Sequence, residues 1–152
     1  MSEPATICVL DDDPSVCKAL GRLLEARGYQ AIIYNSATDL LNDGAMEKSD
    51  LMIFDVRLPL MGGIELRDHL ITNGYHLPII FITAHASTDL AAMDMKADIV
   101  AFLEKPFLEN ELLEAIETGL KKADRNGETR RAKAPENPLP IKEWQDLPPP
   151  AT

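Results

Sequence analysis

Five short apolar runs punctuate the chain: ATICVL (5–10), QAIIY (30–34), DLMIFD (50–55), PIIFIT (78–83) and VAFLEK (100–105). Three of them are apolar on both faces. That pattern suits parallel strands covered by helices on each side, because a half-exposed antiparallel strand would alternate apolar with polar residues. The segments between them supply the helices. After Pro14, with Asp13 placed to cap it, Val16, Ala19, Leu20, Leu23 and Leu24 fall at helical spacing, and Gly28 stops the run. Ser36 with Asp39 opens a shorter helix carrying Leu40 and Leu41, ended near Gly44. Ile64, Leu70 and Ile71 mark a third, ended at Gly74. A fourth, weakly apolar, covers about Ser87 to Lys96, and a fifth begins near Glu109 with Leu112, Leu113, Ile116 and Leu120 along one stripe. Strand-helix alternation repeated in this way predicts a doubly wound α/β fold with a five-stranded parallel sheet, since parallel neighbours need crossover connections.

The chain has 152 residues, 45% of them hydrophobic, enough for one sizeable core. A formal charge of −10 disfavours a surface that neutralises phosphates, so direct nucleic-acid binding is not expected. Cys8 and Cys17 lack the repeated spacing of a zinc site or disulfide framework and are expected to be small core residues. The N-terminus shows no basic-then-apolar leader and no run suits a membrane span, so a cytoplasmic protein is expected. From about Ala123 the composition turns to charge, Gly and Pro. We therefore expect one domain over 1–122 and a tail over 123–152 that forms no core. Within that tail IKEWQDL places Ile141, Trp144 and Leu147 near one helical face, a docking segment if it is ordered.

In an open α/β sheet, ligands bind beyond the carboxyl ends of the strands. Those ends hold Asp11 and Asp12, Asp55, Thr83, and Lys105 followed by Pro106. Singly each has an ordinary explanation as a cap, a turn residue or a solvated charge. Together they place three carboxylates in one crevice, an arrangement tolerable mainly around a cation, and hard oxygen ligands point to magnesium. A lysine and a hydroxyl beside such an ion are what a phosphoryl group in transfer requires.

The segments VLDDDPSV, FDVRLPLMGGIEL, FITAH and FLEKPF, at these intervals, resemble the response-regulator receiver domain of bacterial two-component signalling over about residues 5–121. The resemblance implies a flavodoxin-like sheet of order 2-1-3-4-5 and a single-domain response regulator. It implies that Asp55 is the phosphoacceptor and that magnesium is held by Asp11, Asp12, Asp55 and the backbone carbonyl of Arg57. Asp12 would ligate directly, Asp11 mostly through water or hydrogen bonds, and Asp13 would cap the first helix. It further implies Thr83 as the switch hydroxyl, Lys105 as the phosphate-binding lysine, a cis Lys105-Pro106 bond, and Phe102 as the ring that moves behind Thr83. The expected donor is a phosphohistidine on a sensor histidine kinase. The expected output is contact with a downstream protein through the face formed by the fourth helix, fifth strand and fifth helix, or a phosphorylation-dependent homodimer.

Some positions depart from the family pattern. Asp98 and Leu60 stand where the family usually has Gly, and Ala101 replaces a frequent acidic residue used in some dimers. His85 and Arg57 occupy positions thought to tune phosphoryl lifetime, while His69 and His76 are expected on the surface. Three other readings stay open: a phosphorylation-independent adaptor, a receiver fragment of a longer DNA-binding regulator, and an aspartate-nucleophile phosphatase. The last usually carries a second Asp two residues on, where this chain has Arg57.

Overall fold

All five predicted strands form in the computed structural model, which describes residues 4–85, 87–88 and 99–125. They are β1 (Thr6–Leu10), β2 (Gln30–Tyr34), β3 (Leu51–Asp55), β4 (Ile79–Thr83) and β5 (Ile99–Glu104). The sheet order is β2-β1-β3-β4-β5, every pair is parallel, and one register irregularity falls between Ile79 and Ile80. Runs that are apolar on both faces dictate this, since β1, β3 and β4 are buried along their whole length.

Helix α1 (Pro14–Ala26) starts as the sequence predicts: the Asp13 carboxylate accepts the Ser15 N–H at 2.9 Å, and Pro14 takes the first helical position. Its end is a Schellman motif, in which Gly28, at φ 87°, donates to the Glu25 carbonyl and Tyr29 to the Leu24 carbonyl. Ser36 caps α2 (Ala37–Asn42) through its hydroxyl. A one-turn helix, α3 (Ala45–Lys48), follows Gly44; it is too short to leave a periodic signal and was not predicted. The third predicted helix is α4 (Gly63–Thr72), closed by the same Schellman pattern at Gly74 and Tyr75. The last, α5 (Glu109–Arg125), carries helical structure past residue 122, where the sequence composition changes. Most of the fourth predicted helix, Asp98, and Ile141, Trp144 and Leu147 lie outside the described residues.

Alternation along each strand sends side chains to two separate apolar layers. Ile7, Val9, Leu51, Ile53, Ile80 and Ile82 pack with Leu20 and Leu24 of α1 and Leu112 and Ile116 of α5. Cys8, Leu10, Met52, Phe54 and Phe81 pack on the other face with Leu40, Leu41, Met46, Leu66 and Leu70 from α2, α3 and α4. The two cysteines are buried and free, as expected. His69 corrects the sequence reading: it is only 7% exposed, because it sits between Leu66 and Leu70 on a wide buried stripe of α4, whereas His76 is exposed.

Leu60 is the one described non-glycine residue at positive φ, 69°, and it centres a γ-turn in which the Met61 N–H donates to the Pro59 carbonyl at 2.8 Å. Its side chain is 100% exposed, so no packing repays the left-handed backbone. Leu60→Gly is expected to stabilise the fold by about 0.5 to 1 kcal/mol, the relieved strain outweighing the extra chain entropy. The urea midpoint at unchanged slope checks this; a lower midpoint would contradict it.

Candidate functional site

Strand ends build the site. β1 runs into Asp11, whose main-chain N–H still reaches the Tyr34 carbonyl at 3.2 Å, so its side chain is fully buried under the rim while Asp12 turns outward to solvent. Asp55 ends β3 and is 6% exposed; Thr83 ends β4 and is buried completely. Lys105 follows β5, and its N–H donates to the Thr83 carbonyl at 2.7 Å, which fixes the start of its side chain beside that strand. The Lys105-Pro106 bond is cis.

These side chains meet. The Lys105 ammonium donates to Asp11 Oδ2 at 2.8 Å and to Asp55 Oδ2 at 3.0 Å. Asp55 Oδ1 accepts the Arg57 N–H at 3.0 Å, and Asp11 Oδ1 accepts the Asp13 N–H at 2.9 Å. One carboxylate oxygen from each of Asp11, Asp12 and Asp55 lies within 4.8 Å of the other two. Three carboxyl groups stand against one ammonium here, and their oxygens form a set of hard donors that fits a divalent cation of the magnesium type. Thr83 Oγ1 accepts the His85 N–H at 3.0 Å; His85 itself is exposed.

Burial pushes the Asp55 carboxyl above its ordinary range; the Lys105 hydrogen bond and the Arg57 N–H oppose this, and the Asp11 charge adds to it. For Lys105 burial acts to lower the pKa, but the hydrogen bonds to Asp11 and Asp55 outweigh it and hold the ammonium above its usual value. The lysine therefore stays charged as an internal counter-ion for both carboxylates.

Behind the loop that follows Asp55, α4 begins against the strand's own backbone. The Gly63 N–H donates to the Val56 carbonyl at 3.0 Å. A Cβ at 63 would fall inside contact distance of the Asp55 carbonyl oxygen, and one at Gly62 would lie 2.7 Å from the Val56 oxygen. The glycine pair is therefore a seating requirement at the base of the site.

Residues 7–117 match the profile of the response regulator receiver domain. The chain is 37% identical over 126 residues to the response regulator protein TmoT of Ectopseudomonas mendocina, covering 83% of this chain and 57% of that one. It is 40% identical over 124 residues to TodT of Pseudomonas putida, covering 81% and 55%. The solved structure of the response regulator StyR matches with TM-score 0.71 at 36% identity, over 83% of this chain and 64% of that one. Full-length FixJ from B. japonicum matches with TM-score 0.73 at 30% identity, over 83% and 62%. The chain belongs to the response regulator receiver family. It is a receiver domain of the two-component type, and it spans a little over half the length of TmoT and TodT.

The receiver brings together the side chains of Asp11, Asp12, Asp55 and Lys105, and Thr83 adjoins them through its main-chain bond to Lys105. Phe102 sits on β5 with its ring centroid 6.0 Å from that of Phe81, which in turn is 6.4 Å from Phe54. It is thus the outer member of an aromatic row across three strands, a feature that needs strand register to be seen. Two further residues escaped the sequence reading. Asn35 donates its side-chain amide to the Asp11 carbonyl at 3.2 Å, and the Cys17 thiol donates to the same oxygen at 3.1 Å. Neither bears a motif signal. Among the described residues no helix is long and apolar enough to cross a membrane.

Proposed function

We propose that this receiver takes a phosphoryl group onto Asp55 from a phosphohistidine of a sensor histidine kinase, in a magnesium-dependent reaction, and passes the signal on by protein contact. The observation that carries the reading is the Asp55 carboxylate itself. It is nearly buried at a strand end, bonded to Lys105 and the Arg57 N–H, and grouped with the carboxylates of Asp11 and Asp12.

In the step proposed, an Asp55 oxygen bonds to phosphorus as the phosphorus–nitrogen bond of the donor breaks, and the leaving imidazole takes a proton from solvent. Lys105 follows the charge onto the phosphoryl oxygens, and the Thr83 hydroxyl donates to one of them. Asp11, Asp12, Asp55 and the Arg57 carbonyl would hold magnesium, which when bound neutralises phosphoryl charge. Hydrolysis of the acyl phosphate at the same site would end the signal, with His85 and Arg57 at its edge tuning that rate.

Movement of Thr83 toward the phosphoryl group would free space next to Phe81 and Phe102 and bias the α5 side of β5 between two packings. Phe102→Ala is expected to be phosphorylated within about twofold of the wild-type rate, while losing most of the phosphorylation-dependent gain in partner affinity, on the order of tenfold. Equal gain in both proteins, by titration with the purified partner, would assign Phe102 to packing alone. The adaptor reading predicts instead that the unmodified protein binds that partner fully.

We propose the cytoplasm as the setting, with a downstream protein as the target and the receiver as the unit over 1–122. Intact mass after incubation with acetyl phosphate tests the central reading. A gain of one phosphoryl group that requires magnesium supports it; no gain, with magnesium binding also absent, would hand the lead to the adaptor reading.

A further inference from the structure

We infer that Asn35 and Cys17 are positioning residues for the acidic pair: they hold the Asp11–Asp12 peptide in the orientation that brings the Asp12 carboxylate to those of Asp11 and Asp55, and so set magnesium affinity without touching the ion. This rests on the metal-site reading given above.

Three consecutive aspartates pose a geometric problem. Asp11 must point inward and Asp12 outward, yet both must reach one point, so the peptide between them has to be held in one orientation. The side chain of Asp11 is pinned by Lys105 and by the Asp13 N–H, and its own N–H is held by the Tyr34 carbonyl. The Lys105 and Tyr34 contacts hold what precedes the Asp11–Asp12 peptide, and the bond from the Asp13 N–H closes an Asx-turn across it. The peptide's own handle is the Asp11 carbonyl, which lies where the β1–β2 ladder runs out.

That carbonyl accepts from two side chains that reach it from different elements. Asn35, just past β2, gives its amide at 3.2 Å. Cys17, in the first turn of α1 and 5% exposed, gives its thiol at 3.1 Å. The Asn35 amide also lies 3.7 Å from the Cys17 sulfur, so the three groups form one closed contact. A carbonyl oxygen has two lone pairs, and here each has a donor. Rotating the peptide would break both bonds and swing Asp12 away from its neighbours. Outer partners of this kind orient metal ligands and typically alter affinity by tenfold or more when removed. Because these two act through a backbone carbonyl, each should contribute at the lower end of that range.

The thiol suits this role because an S–H group is a donor and its sulfur lies 3.1 Å from the Asp11 carbonyl oxygen. A serine hydroxyl would donate in the same place. Alanine would not.

The test is a magnesium titration by calorimetry on the full chain as wild type, Asn35→Ala, Cys17→Ala, Cys17→Ser and Asp12→Ala, with amide hydrogen exchange at Asp12 and Asp13 measured without metal. We expect the magnesium Kd to rise about three- to tenfold in each alanine variant at Asn35 and Cys17 and to stay near wild type in Cys17→Ser. Exchange at Asp12 and Asp13 should speed up several-fold in the same two variants at unchanged global stability. Saturating magnesium should restore their phosphorylation rate from acetyl phosphate, since a positioning loss raises the metal requirement and not the ceiling. Wild-type Kd in Asn35→Ala and Cys17→Ala would overturn the inference, as would unchanged exchange at Asp12 and Asp13. Absence of magnesium binding in the wild type, or binding indifferent to Asp12→Ala, would instead bring down the metal-site reading and this inference with it.

Discussion

Asp55→Asn is expected to gain no phosphoryl group from acetyl phosphate at any magnesium concentration, where the wild type gains one. A carboxamide has no anionic oxygen to bond to phosphorus, so the loss should be complete at the sensitivity of intact-mass measurement. The fold should survive. The amide oxygen can keep the bond to the Arg57 N–H, and Lys105 retains Asp11 as its partner. What changes is the second position, where an NH2 group would face the Lys105 ammonium, donor against donor. Against that, the substitution removes a carboxylate whose burial disfavours its charge. These effects oppose each other, and with the lysine partly solvated the net change in stability should be about 1 kcal/mol or less. A variant that folds normally yet still gains the group would place the acceptor elsewhere; one that unfolds would show that the Lys105–Asp55 pair is needed for stability.

Gly63→Ala should cost about 3 kcal/mol and slow phosphorylation as well, at the upper end of what overpacking usually costs. The reason is the nature of the obstacle. The added methyl would run into the Asp55 carbonyl oxygen and lie 3.1 Å from the Phe54 Cβ, both part of a central strand buried on two faces. No side chain can rotate out of the way, so α4 must lift or β3 must bend, and either moves Asp55, the proposed acceptor. Gly62→Ala meets only the Val56 carbonyl, at 2.7 Å, in the loop beyond the strand, and should cost less. Urea unfolding of both, with rates of phosphorylation from acetyl phosphate, separates the two; equal stability of Gly63→Ala and wild type would mean that the loop yields more readily than the strand contacts suggest.

Much of the fold was legible because its signals are local or periodic. The double-sided apolar runs, the Asp13-Pro14 start and the glycines after α1 and α4 each act within a few residues, and the rim followed from the strand ends. The exceptions are contacts made across the fold. Asn35 is 24 residues from Asp11 in sequence, and nothing in NSAT marks it as a donor to that carbonyl. The aromatic row needs the register of three strands, and the glycine pair's role needs the approach of α4 to β3. His69 was misread because a polar residue on an otherwise mixed helix offers no phase by itself; the phase comes from Leu66 and Leu70. Leu60 departs from the family pattern in the sequence, but its left-handed backbone and full exposure are properties of the folded loop.

Among the described residues the two apolar layers share no side chain, and the backbone of the sheet lies between them. Changes to well-separated residues that share no partners combine almost additively. Selection can therefore rewrite the α1–α5 layer and the α2–α4 layer on separate schedules. The strand ends, which both layers support, are the place where such divergence has to stop.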